Sequence, residues 1–129
     1  MINKKGFTLV ELLIVVIIIG ILASLAFPNF GKTKENALDK QAISNLKLIQ
    51  AAEKGHYLEM LAYYPLLGST SDIANINNNL HLSLTTTNWN YTVWNTGCGR
   101  ATRNGGDLRS WYLTIDDAAG EPDAGAGCP

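Results

Sequence analysis

Residues Lys4 to Gly20 read KKGFTLVELLIVVIIIG: two lysines and a glycine lead into an apolar run that holds one carboxylate, Glu11, near its start. Twenty consecutive residues, Leu12 to Gly31, carry no charge. A helix of that length spans about 30 Å, the thickness of a bilayer core. A secretory signal peptide has a shorter apolar core followed by a small-residue cleavage site, and Ala23-Ser24-Leu25-Ala26 is the nearest approach to one here. The other alternative is a buried helix of a soluble protein. A chain this small could hardly cover Ile17, Ile18, Ile19, Ile21 and Leu22 on every side. The segment therefore reads as a membrane anchor. The β-branched run Val15 to Ile19 would favour a strand in water. A lone strand in hydrocarbon leaves its backbone unsatisfied, so a helix is expected.

Outward from the anchor, composition changes sharply. The 129 residues allow one domain beside the apolar segment, and a formal charge of −1 implies no strongly basic face. Lys4 and Lys5 flank one end of the span and Lys32 and Lys34 the other, so the positive-inside count is close to a tie. The two cysteines, Cys98 and Cys128, lie in the last third. A pair in a short exported chain suggests one disulfide and an oxidising compartment, with two free thiols as the alternative. On the disulfide reading the C-terminal part lies outside the cytoplasm.

Glu11 is the anomaly. An isolated carboxylate in hydrocarbon costs several kcal/mol or takes up a proton, unless it sits at headgroup depth. Its flanks suggest a reason for it. Lys4 and Lys5, then Gly6-Phe7-Thr8-Leu9-Val10-Glu11, then an apolar helix with Gly20 inside it and Ala26-Phe27-Pro28-Asn29 beyond it, closely resemble the class III leader and N-terminus of type IV pilins and type II secretion pseudopilins. The likeness is specific over Lys4 to Asn29 and weak afterwards.

That resemblance implies a definite chemistry. A membrane-embedded prepilin peptidase would cut between Gly6 and Phe7, and the new amino group of Phe7 would be N-methylated and stay cationic. A glycine at the cut suits a narrow pocket, since no Cβ blocks approach to the backbone. Loss of Lys4 and Lys5 takes ten basic side chains to eight against eleven acidic ones, leaving the mature chain near −3 before its termini are counted. In such filaments Glu11 would pair with the Phe7 amine of a neighbour and act as an assembly key. Gly20 and Pro28 would mark a kink and a stretch of helix able to loosen.

Beyond the anchor, helical periodicity continues from Asn29 to about Met60. Leu38, Ala42, Leu46, Ile49 and Ala52 recur at spacings of three and four, and Tyr63-Tyr64-Pro65 ends the element. With the anchor this makes one long helix of around fifty residues. Strands are expected over Leu80 to Thr87, Trp89 to Asn95 and Ser110 to Ile115, with Gly97 to Asp107 a loop and Asp116 to Pro129 an irregular tail. Trp89, Tyr91, Trp94, Trp111 and Tyr112 are expected to pack on the helix. The fold class is thus α+β: a long N-terminal helix, transmembrane in its first half, against a small antiparallel β-sheet of three or four strands. The expected divisions are a cleaved leader over 1–6, a transmembrane or filament-core helix over 7–28, an amphipathic extramembrane helix over 29–62, and a sheet domain over 63–129. A Cys98–Cys128 bond would close its C-terminal loop, as a comparable bond does in type IV pilins.

Enzymatic constellations are absent. His56 and His81 have no metal-ligand spacing, and Gly97-Cys98-Gly99 has loop composition rather than a phosphate-binding pattern. Asp116, Asp117, Glu121 and Asp123 match no calcium-loop spacing. Arg100, Arg103 and Arg109 read as solvated loop residues, and no nucleic-acid partner is expected. The expectation is a non-enzymatic filament subunit needing no cofactor. It would be held in the inner membrane by one span, with its C-terminal domain extracytoplasmic, and polymerised with copies of itself. The resemblance supplies its other partners: a prepilin peptidase and N-methyltransferase, an inner-membrane assembly platform, and its ATPase. A secretion pseudopilin is the first alternative. A minor pilin that never polymerises and serves as adhesin or DNA-binding module is the second.

Overall fold

The computed structural model describes residues 5–26, 30–125 and 127–128. The chain divides into two units, Met1–Ala37 and Leu38–Pro129. In the first, helix α1 runs from Leu9 to Ala26, and none of its 18 residues is buried. Its length is about 27 Å, close to a hydrocarbon core of about 30 Å. Gly20 lies within the helix with open space where a Cβ would stand. Pro28, expected as a kink, lies outside the described residues, as does the junction needed for one continuous helix.

Helix α2 runs from Phe30 to Met60 and from Leu38 onward supplies the second unit with its longest element. Its stripe is the expected one: Ala42, Leu46 and Ile49 are buried, and Leu38 and Ala52 pack against them partly buried. Leu61, at φ 55, ends the helix with a left-handed residue. The strands that follow are β1 (Ser69–Thr70), β2 (Trp89–Trp94), β3 (Gly99–Arg103), β4 (Ser110–Leu113) and β5 (Asp123–Ala124), with a short helix α3 (Ile73–Leu80) between the first two. They form one sheet in the order β1-β2-β3-β4-β5, and every neighbouring pair is antiparallel. The α+β architecture is the one expected, with five strands because two-residue edges extend a three-stranded centre.

Register explains which aromatics enter the core. Trp89, Tyr91 and Val93 face inward along β2, opposite Arg103, Ala101 and Gly99 of β3. Trp89 Nε1 donates to the Leu38 carbonyl oxygen at 3.0 Å and Asn45 Nδ2 to the Tyr91 hydroxyl at 2.6 Å, so both buried rings keep their polar atoms paired. Trp94 and Tyr112 fall at the alternate positions and are only half-buried, which corrects the expectation that they pack on the helix. The Trp94 ring stacks beneath the Arg100 guanidinium at 4.9 Å instead. Tyr112 lies under the tail, since a Cβ on Gly127 would run into its ring.

Two other expectations fail for identifiable reasons. Leu80 to Thr87 is not a strand. Leu80 ends α3, and His81 caps it in the left-handed conformation at φ 53. Leu84 then satisfies its backbone on one side chain, its N–H donating to Asn77 Oδ1 and its carbonyl accepting from Asn77 Nδ2, both at 2.9 Å. Leu84 and partly buried Leu82 fill the core without joining the sheet. Within the expected loop, Gly99–Arg103 is the central strand β3. A Cβ on Gly99 would meet Ile49 at 3.2 Å and Leu46 at 3.5 Å, so glycine here permits close approach of strand to helix.

Candidate functional site

The start of α1 is built by its own sequence. Thr8 precedes the first helical residue, and Glu11 stands three positions later. The Thr8 backbone N–H donates to Glu11 Oε2 at 2.9 Å, and the Glu11 backbone N–H donates to Thr8 Oγ1 at 3.3 Å. This reciprocal pair is a capping box, which satisfies two of the helix's unpaired N–H groups. The Thr8 hydroxyl also donates to Glu11 Oε2, at 3.0 Å. The carboxylate that looked misplaced in an apolar run therefore has a local function, holding the first turn together next to the helix's positive end.

Lys5, Gly6, Phe7 and Glu11 line one shallow recess. The residues expected at the leader cut are thereby brought beside the expected assembly residue. Gly6 has nothing within 4 Å of a built Cβ, so its backbone is open, and Phe7 is 82% exposed. From there Leu9, Leu12, Leu13, Val16 and Ile17 continue as an uninterrupted apolar strip. Thr8 is the residue that sequence reasoning passed over, although Thr-x-x-Glu before an apolar run is a recognisable signature.

In the second unit the cysteines are joined: Cys98 and Cys128 form a disulfide with Cα atoms 5.9 Å apart. Polar bonds between the C-terminal segments and α2 accompany it. Lys47 pairs with Glu121 at 2.6 Å, and Gln50 Nε2 donates to the Thr114 carbonyl at 2.8 Å. Asp117 accepts from the Ala119 N–H at 2.9 Å within its own turn. Among the described residues, no three His, Cys, Asp or Glu side chains are grouped to hold a metal. Arg103, on β3 rather than in the expected loop, and Arg109, just before β4, have structural tasks too. Arg109 Nε lies 2.8 Å from Asp39, and both Arg103 and Arg109 sit 5.8 Å from the Trp89 ring centre.

Comparison with known proteins points to the N-terminal geometry. Residues 1–27 match the family described as the prokaryotic N-terminal methylation motif. The chain is 45% identical over 73 residues to the type IV major pilin protein PilA of Myxococcus xanthus (strain DK1622), covering 57% of this chain and 30% of that protein. It is 42% identical over 50 residues to the type II secretion system core protein G of Escherichia coli (strain K12), covering 39% of this chain and 34% of that one. Against core protein G of Vibrio cholerae it is 36% identical over 61 residues, 47% of this chain and 42% of that one. The chain thus spans less than half the length of these curated relatives. No solved structure matches it.

Proposed function

We propose that the chain is a structural subunit of a type IV pilus-like filament, held in the inner membrane by α1 until it polymerises. The observation that supports this most is α1 itself, 18 residues with none buried, apolar but for Glu11, Gly20 and Ser24, whose capped start holds that one carboxylate. Such a surface requires cover from lipid or from other helices. On this reading residues 1–6 are a leader, 7–28 the membrane and filament-core helix, 29–62 its extramembrane continuation and 63–129 the exposed domain. Prepilin peptidase cuts between Gly6 and Phe7, the Phe7 amine is methylated, and an ATPase-driven platform in the inner membrane inserts subunits one at a time. The Cys98–Cys128 bond supports an extracytoplasmic position for the second unit. The role is assembly rather than catalysis.

Glu11 is the proposed key, and the open neighbourhood of Phe7 leaves room for a partner. Two unit charges at 4 Å attract by about 4 kcal/mol at an effective dielectric of 20. Desolvation of both opposes that gain. The pair therefore contributes register more than affinity, because every misaligned stagger leaves a carboxylate unpaired. Glu11→Ala is expected to insert in the membrane normally and to abolish or disorder filaments in electron micrographs; normal filaments from that variant reject the assembly role. The mature mass should show loss of Met1 to Gly6, one added methyl, and two hydrogens fewer for the disulfide. An unprocessed chain in native filaments rejects the whole reading. The second reading, a secretion pseudopilin, is favoured by the likeness to core protein G. Loss of protein export without loss of surface fibres, on deletion of the chain, selects it.

A further inference from the structure

A buried carboxyl on α2, in the second unit, takes no part in the N-terminal site. Glu53 is 0% exposed, although glutamate rarely enters a core unpaired. Its Oε2 accepts from the Tyr64 backbone N–H at 2.9 Å. Its Oε1 is also buried and has no hydrogen-bond partner among the described residues. One turn on, His56 Nδ1 lies 2.8 Å from the Ala62 carbonyl oxygen. A carbonyl only accepts, so Nδ1 carries the proton and donates. The His56 and Tyr64 rings meet edge to face at 6.1 Å. The segment that leaves α2 is therefore tied back to it at two points, Ala62 and Tyr64. It leads to Leu66 and Leu67, which are 65% and 86% exposed.

We propose that Glu53 is a proton-operated latch: its neutral carboxyl keeps the Tyr64 segment closed on α2, and loss of the proton lets that segment open. An ionised carboxylate at this position has one oxygen served by a single N–H and the other by no group among the described residues, in a place closed to solvent. Opening returns that charge to water, where it is fully solvated. The neutral acid gains far less by opening. Burial pushes the Glu53 carboxyl up to about 7, against the smaller opposing pulls of the Tyr64 N–H and His56. The titratable groups around it come from three elements. His56 acts from α2, and Tyr63 from the loop after it. Asp116, in the loop after β4, acts with Glu53 and Tyr57 on the Tyr63 phenol, which burial first and these groups next push up. Because the closed form holds its proton to higher pH than the open form, opening becomes easier as pH rises from the ordinary carboxylate range to about 7, then levels off.

Amide hydrogen exchange on the full chain in detergent micelles tests the latch, with rates corrected for intrinsic exchange. Between about pH 5.5 and about pH 8.5 protection at Tyr64 and its neighbours should fall by about tenfold or more, while Leu46 and Ile49 in the middle of α2 keep theirs. Glu53→Gln retains an oxygen for the Tyr64 N–H and cannot ionise, so its protection should be flat across that range. Equal protection at both pH values in the wild type, or the wild-type dependence persisting in Glu53→Gln, overturns the proposal. Should that variant fail to fold, the carboxyl carbon resonance of Glu53 in the wild type decides. A midpoint near 7 supports the latch, and one near the ordinary value of about 4.3 sinks it.

Discussion

Helices α1 and α2 belong to one chain and solve opposite problems. In α1 the apolar residues run all round the helix and the chain covers none of them. In α2 they form one stripe, Ala42, Leu46 and Ile49, which the sheet and α3 cover almost completely. The stripe of α2 is therefore covered within its own unit, whereas no residue of α1 is buried. A substitution in α2 or its cover should register in the folding of one chain. A substitution in α1 should register in what that chain joins.

The sharpest way to break this contrast is Trp89→Ala. The ring is 1% exposed and its nitrogen is bonded to Leu38, so about 3–5 kcal/mol should be lost from the unfolding free energy of the second unit. Leu13→Ala in α1 should leave that denaturant midpoint unchanged; an equal shift from both would erase the distinction. Reduction of Cys98–Cys128 comes next, at roughly 3–4 kcal/mol, because the bond closes a separation of 30 residues. It should also expose the tail to protease while α1 stays intact.

A pH effect sharpens the comparison further, since the raised carboxyl belongs to α2. Below about 4.5 Glu53 is protonated whether the chain is folded or not, and it favours neither state. Between 4.5 and about 7 the unfolded chain releases the proton first, so stability falls, and above 7 the loss stays constant. The total is on the order of 3 kcal/mol, read as a drop in urea midpoint that Glu53→Gln should remove. The smallest effect is expected at the other helix. Thr8→Ala should cost about 1 kcal/mol of capping, seen as about fivefold faster amide exchange at Leu9 to Glu11 with the second unit unaltered.

Periodicity made both long helices legible, because an unbroken apolar run and a three-four stripe each have one reading at that length. Alternation did the same for β2 but misled over His81 to Thr85, which alternates and joins no strand. It failed for β3, where Gly99 and Ala101 are small for reasons of helix contact, and β2 and β4 supply the ladder on both sides. Helix α3 was hidden by its asparagines, which favour turns over helix interiors. Its signals were Asp72, whose carboxylate caps Ala74 and Asn75, and the spacing of Ile73, Ile76 and Leu80. Glu53 was illegible for a different reason: a glutamate beside exposed Lys54 on a helix reads as a solvated charge, and the return of the chain at Tyr64, whose N–H bonds it, is invisible in the sequence. The N-terminal site was readable as a linear motif, and the bonding between Thr8 and Glu11 was legible too in the Thr-x-x-Glu spacing, though it was passed over.

That bonding has a consequence for maturation. Among the described residues, the hydrogen bonds that start α1 begin at Thr8, one residue past the proposed scissile bond. Severing Gly6 from Phe7 would remove none of these donors or acceptors from the first turn. On the proposed processing, precursor and product would begin the same rod at the same residue, and cleavage would alter only the end of the chain, delivering a free cation one residue from a cap already in place.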